Sequence, residues 1–92
     1  MAKRERLHVI RDILNVIKAK DGKIKPTHIL YKANLSHRMM NEYIDELILR
    51  GLILQQNTKK GKTYSMTEKG FGFLKKYGQM TEFMDSFGLG QE

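Results

Sequence analysis

The sequence predicts a small, mainly α (α+β) domain: four helices and one β-hairpin. Three observations lead there. Apolar residues recur at spacings of three and four in four separate stretches, which places them on helical faces. After Gly51 that period gives way to short runs carrying β-forming Ile, Thr and Tyr on either side of a polar, glycine-ended tip. The 92 residues suffice for a single small core, with 40% hydrophobic and 29% charged residues, a globular composition rather than a disordered one.

The first helix is expected over residues 4–20. Leu7, Ile10, Ile13, Leu14 and Ile17 share one face, and Val9 and Val16 widen it. Asp21 and Gly22 end it, glycine suiting a left-handed cap. Residues 23–25 are enough only for a short extended piece, because Pro26 forces Lys25 out of helical geometry. A second, short helix runs from Pro26 to Ala33, with Ile29, Leu30 and Ala33 inward. Asn34 and Leu35 make a tight turn. Ser36 is a good N-cap, since its hydroxyl can accept from the free backbone N–H groups that follow. The third helix then reaches Arg50 with Met40, Ile44, Leu47 and Ile48 as its stripe and Tyr43 at the edge, and Gly51 stops it. Residues 52–56 read as a strand, 57–61 as a hairpin tip and 62–66 as the returning strand. Thr67 caps the last helix, and the Gly88–Glu92 end is expected to fray. Two short helices joined by a tight turn, followed by a basic-tipped hairpin, describe a winged helix-turn-helix domain. The expected division is residues 1–70 for that domain and 71–92 for a C-terminal dimerisation helix with an acidic tail.

In that last helix Phe71 and Leu74 are expected on the domain core. Phe73, Tyr77, Met80, Met84 and Phe87 are spaced four, three, four and three, the seam of a helix pair. A core of this size has little room for five such side chains, so a homodimer is expected. Gly70, Gly72 and Gly78 weaken the helix by about 1 kcal/mol each relative to alanine.

Seventeen Lys and Arg against ten Asp and Glu give a net charge of +7, pointing to a polyanionic partner, with nucleic acid foremost. The charge comes in blocks. Residues 1–38 hold ten basic and three acidic side chains, and residues 51–76 hold six against one. Residues 77–92 hold three acids and no base. There is no cysteine, which excludes a disulfide framework, cysteine-ligated zinc and a thiol nucleophile. His8, His28 and His37 show no ligand spacing, Ser36 lacks a nucleophile-elbow context, and Gly70-x-Gly72 lies inside a helix start and belongs to no nucleotide motif. The expectation is therefore no enzyme, no metal and no cofactor. No apolar run approaches the roughly 20 residues that span a bilayer, and no signal peptide is visible. A soluble, cytoplasmic, nucleoid-associated protein is expected.

Two strings carry a family resemblance. Ala33-Asn34-Leu35-Ser36, followed by Tyr43, Leu47 and Gly51-Leu52-Ile53, is one; Tyr64-Ser65-Met66-Thr67-Glu68-Lys69-Gly70 is the other. Together they resemble a family of small archaeal winged-helix proteins, whose best-known members are basic chromatin proteins of about ten kilodaltons. The resemblance covers roughly residues 5–87. It implies DNA binding and a dimer formed by an antiparallel coiled coil of the C-terminal helix. It leaves gene regulation and chromatin packaging both open.

In a helix-turn-helix the start of the second helix reaches base edges, which here offers Ser36, His37, Arg38 and Asn41. Arginine can read guanine and asparagine adenine. Glu42, Asp45 and Glu46 follow and would repel phosphates; alternatively Arg38 merely pairs with Glu42 on an exposed face. Lys25, Thr27, His28 and Lys32 flank the preceding helix as backbone contacts. Lys59, Lys60 and Lys62 crowd the wing, where they suit phosphate or blunt a sheet edge. Lys3, Arg4 and Arg6 form a candidate basic arm. The leading expectation is thus a homodimer binding double-stranded DNA. The rival is a winged-helix module that docks another protein, which would show apolar residues on the same surface, where Met39 is the one candidate.

Overall fold

The computed structural model describes residues 6–20 and 22–90. Lys3 and Arg4 of the expected arm, Asp21 of the expected helix stop, and Gln91 and Glu92 of the tail lie outside them. The element order is α1 (Arg6–Lys20), α2 (Pro26–Lys32), α3 (His37–Leu49), β1 (Ile53–Thr58), β2 (Gly61–Met66) and α4 (Glu68–Ser86).

α1 buries Val9, Ile10, Ile13, Leu14 and Ile17. Leu7, expected inward, is 43% exposed, while Val9, expected to widen the same face, is buried at 3%. The buried arc is centred on Ile13 and Ile17, and Leu7 falls about a quarter-turn from that centre, at the edge of the arc just past Leu14. Arg6 is not part of a free arm. It opens α1 and pairs with Glu46 on α3, with its guanidinium 5.8 Å from the centroid of the Tyr43 ring.

The Ala33–Ser36 string is a complete helix-to-helix joint. Ala33, 2% exposed, caps α2 and packs into the core. Asn34 takes the left-handed conformation at φ 58°, donating to the Tyr31 carbonyl, while the Leu35 N–H reaches back to Leu30. That pair of bonds is the Schellman closure, and buried Leu35 supplies its apolar contact. Ser36 Oγ then accepts from the Met39 N–H at 3.1 Å and starts α3. α3 buries Met40, Ile44 and Leu47.

α3 ends in the same closure, at Gly51 with φ 78°: its N–H donates to Ile48 and the Leu52 N–H to Leu47. This explains why Leu52, expected in the strand, precedes it. β1 and β2 pair antiparallel from Ile53 opposite Met66 to Thr58 opposite Gly61. The tip is a two-residue turn at Lys59 and Lys60, tighter than the expected five. The Thr58 hydroxyl bonds the Gly61 carbonyl at 2.7 Å and accepts from the Lys60 N–H. Ile24 joins the hairpin by a single bridge to Tyr64 and is fully buried. Burial, and secondarily the charge of Asp45, push the Tyr64 phenol above its ordinary pKa.

The Thr67–Gly70 string is a second joint. Thr67 Oγ1 accepts from the Gly70 N–H at 3.1 Å and donates to the Gly51 carbonyl at 2.7 Å. Lys69 Nζ bonds the Arg50 carbonyl at 2.7 Å, so the start of α4 is tied to the end of α3. Glycine is required at 70 because a Cβ there would meet the Leu52 carbonyl oxygen at 2.3 Å. α4 passes through residues 70 and 71 without a break, and Phe73 and Leu74 pack against the core of the preceding elements. Gly88, at φ 74°, and Leu89 close α4 with bonds to Asp85 and Met84.

Candidate nucleic-acid interface

Ser36, His37, Arg38 and Asn41 are all exposed and lie on the first turn and a half of α3. The cap at Ser36 fixes where that turn begins, and buried Met40 and Ile44 fix which way it faces. Arg38 Nε lies 3.2 Å from Glu42 Oε2, with the two side chains 88% and 65% exposed. An open i,i+4 pair of this kind holds by only about 0.2–0.5 kcal/mol, so a nucleic-acid ligand can detach the guanidinium cheaply. Asp45 is exposed. Glu46 is held by Arg6 and, at 3.0 Å, by Arg50. The hydrogen bond from Arg6, then that from Arg50, keep the Glu46 carboxyl below the usual glutamate range, and the same contact raises Arg6.

On α2 Lys25, Thr27, His28 and Lys32 are exposed around a helix pinned by buried Ile29, and the Asn34 joint sets α2 directly against the start of α3. Tyr31 was not anticipated. It is 75% exposed between His28 and Lys32. The available signal was its distance of four from Thr27, off the Ile29–Ala33 face. The hairpin buries its base at Ile53 and Tyr64 and leaves Asn57–Lys62 exposed. Strands of six residues, about 20 Å long, carry Lys59, Lys60 and Lys62 away from that base. Met39, the apolar candidate on this surface, is 40% exposed.

The expected α4 seam divides. Tyr77 is only 8% exposed. Its ring lies 5.9 Å from both His8 and Phe73, and Arg11 stands over it at 5.3 Å. It is a core residue of its own chain, because α1 covers that side of α4. Phe73 is partly buried and Met84 half-buried, while Met80 at 46% and Phe87 at 67% are open. Phe71, expected on the core, is 46% exposed. Phe83, which the sequence reading passed over, is 61% exposed with its ring 5.2 Å from that of Phe87. The exposed large apolar side chains of α4 are therefore Phe71, Met80, Phe83 and Phe87, with Phe73 and Met84 half-buried.

Among the described residues no group of three His, Asp or Glu is placed to hold a metal ion. No helix among them is long and apolar enough to cross a membrane.

Known proteins share this arrangement. An uncharacterized protein of Methanocaldococcus jannaschii is 36% identical over 84 residues, covering 91% of this chain and 80% of its own length. The crystal structure of Sso10a-2, a DNA-binding protein from Sulfolobus solfataricus, superposes with a TM-score of 0.78 at 21% identity. The match covers 91% of this chain and 85% of that one. The PcaV transcriptional regulator from Streptomyces coelicolor superposes with a TM-score of 0.77 at 17% identity, covering 86% of this chain and 60% of PcaV. These likenesses establish the fold. The winged helix-turn-helix family model matches residues 3–85, nearly the whole chain, and to that family this chain belongs.

Proposed function

We propose that the chain binds double-stranded DNA as a homodimer, in gene regulation or as a chromatin component. The observation that carries this is the exposed basic corner where α2 meets the start of α3. His28, Lys32, Arg38 and Asn41 are exposed there above a buried apolar support, with a three-lysine wing beyond. Arg38 and Asn41 read base edges. Lys25, Thr27, His28, Lys32 and the wing lysines take phosphates. Sso10a-2, described as a DNA-binding protein, has this fold over nearly the same length, which supports the reading. The mechanism involves no catalysis: counterions released from phosphates supply much of the affinity.

Duplex titrations at two salt concentrations test it. Affinity is expected to fall by orders of magnitude between about 50 and 200 mM salt. Arg38→Ala and Asn41→Ala are expected to flatten sequence preference, each removing roughly 1–3 kcal/mol of discrimination, whereas Lys60→Ala weakens every duplex alike. The rival, a protein-docking winged helix, has exposed Met39 and Tyr31 in its favour and requires that no duplex bind at either salt concentration.

A further inference from the structure

Where the end of α1 meets the end of α2, the surface opens into a groove of about 230 Å³. Val16, Ala19 and the fully buried Ile24 give it an aliphatic floor. Exposed Lys20 and Lys32 line it as well, each in the last turn of its helix, and Asn15 adds an exposed amide. Among the described residues that line it none is acidic and none carries a ring. The two ammonium groups and the amide make no hydrogen bond or ion pair with any described residue. A lysine in the last turn of a helix offsets the partial negative charge of the carbonyl end. That explains each lysine by itself, but not an apolar groove shared by two of them from different helices. The lining selects its own ligand. Two cations and a donor amide suit an anion, the floor suits an apolar body joined to it, and the lack of rings favours an aliphatic body over one that stacks. An apolar cavity of about 150 Å³ holds a benzene molecule, so this groove has room for about six carbons, carboxylate included.

We propose that the groove binds a short aliphatic carboxylate of about six carbons. The tail lies along Val16, Ala19 and Ile24, and the carboxylate bridges Lys20 and Lys32 with the Asn15 amide as a further donor. Lys32 also belongs to the set that takes DNA phosphates in the reading above. A carboxylate held by that ammonium withdraws it from the duplex, so ligand and DNA weaken each other's binding by the same factor. This coupling rests on the DNA-binding reading; the site itself does not.

Sodium hexanoate titrated into the full chain at fixed ionic strength, followed by backbone amide NMR shifts, tests the site. Shifts are expected at residues 15–20, at Ile24 and at Lys32, with affinity rising about two- to fourfold per methylene from butanoate to hexanoate. Hexanol, with the same tail and no charge, is expected to bind about tenfold more weakly. Lys20→Gln, at an exposed residue outside the proposed DNA contacts, is expected to weaken hexanoate about fivefold and to leave duplex affinity without hexanoate within about twofold of wild type. In wild type, saturating hexanoate in place of chloride is expected to weaken duplex binding by about fivefold or more, and acetate to leave it unchanged. Butanoate binding as tightly as hexanoate, hexanol binding as tightly as hexanoate, or shifts spread over the lysines of every element would overturn the site and leave the DNA reading in place. Hexanoate seated in the groove with no effect on duplex affinity overturns the sharing of Lys32. A chain that binds no duplex at either salt concentration overturns the DNA reading and the coupling with it, while the hexanoate titration still decides the site.

Discussion

Helices α3 and α4 begin and end alike and are covered differently. Each starts at a hydroxyl that accepts from the third N–H of the helix, at 3.1 Å in both. Each stops at a glycine of positive φ, 78° and 74°, with the same pair of closing bonds. Between those ends, α3 presses Met40, Ile44 and Leu47 into its own domain. α4 buries Tyr77 and leaves Met80, Phe83 and Phe87 bare. Local chemistry decides where a helix lies along the chain. What covers each face is decided by neighbours, and no described element covers Phe83 and Phe87.

The sharpest way to break that contrast is to remove one side chain from each helix. Leu47→Ala, at a site 1% exposed, is expected to cost about 2–5 kcal/mol of unfolding free energy. Phe83→Ala is expected to change a monomer by less than about 0.5 kcal/mol. Equal losses in urea denaturation would show that the second half of α4 is covered after all.

A second comparison lies inside α4. Gly70→Ala drives a Cβ into the Leu52 carbonyl and is expected to destabilise by about 1–3 kcal/mol. Gly78→Ala meets no atom within 4 Å and should stabilise the helix by up to about 1 kcal/mol. Thermal midpoints moving in opposite directions would confirm that one glycine serves packing and the other does not.

These contrasts show what could be read from sequence and what could not. Ser36, Thr67 and Gly51 announce the helix ends because a cap needs only its own residue type and the backbone beside it. The hairpin showed itself through Tyr64, Thr63 and a tip ending in glycine. The burial of Tyr77 within its own chain was not legible because 73, 77, 80, 84, 87 and 73, 76, 80, 83, 87 both fit a helical period. The choice depends on α1 lying over Tyr77, a contact between residues about seventy apart in sequence. Leu7 was placed inward for want of the same information. On the basic surface, Arg38, Asn41 and the wing lysines were legible as exposed cations and amides. Tyr31 was not, since an aromatic residue in a short helix reads as core until the helix is seen against its neighbours.

The two caps sharpen the comparison further. Ser36→Ala is expected to cost about 1 kcal/mol. Thr67→Ala should cost more, up to about 2 kcal/mol, because its hydroxyl also donates to the Gly51 carbonyl. Equal losses would mean that the bond to Gly51 adds nothing to the cap. The smallest effect concerns pH. The Glu46 carboxyl is held below its ordinary range by Arg6 and Arg50, so its contribution is complete above the ordinary glutamate pKa and fades as pH falls through the lowered one. Glu46→Gln should therefore narrow its stability gap to wild type on acidification, measured as the difference in denaturation midpoint across an acid series.

Thr67 has one further consequence. Its hydroxyl holds the Gly51 carbonyl and its N–H reaches the Leu52 carbonyl at 3.3 Å, so the hairpin leaves and re-enters the domain at a single clasp. Everything from Ile53 to Met66 is then an excursion whose two ends are already fastened together, apart from the anchorage that Ile53 and Tyr64 give its base. Doubling the length of such a loop costs only about 0.6 kcal/mol in closure entropy. The wing is thus an exchangeable cassette: its length and tip charge are free to vary, or to be grafted, while the clasp keeps α3 and α4 in place.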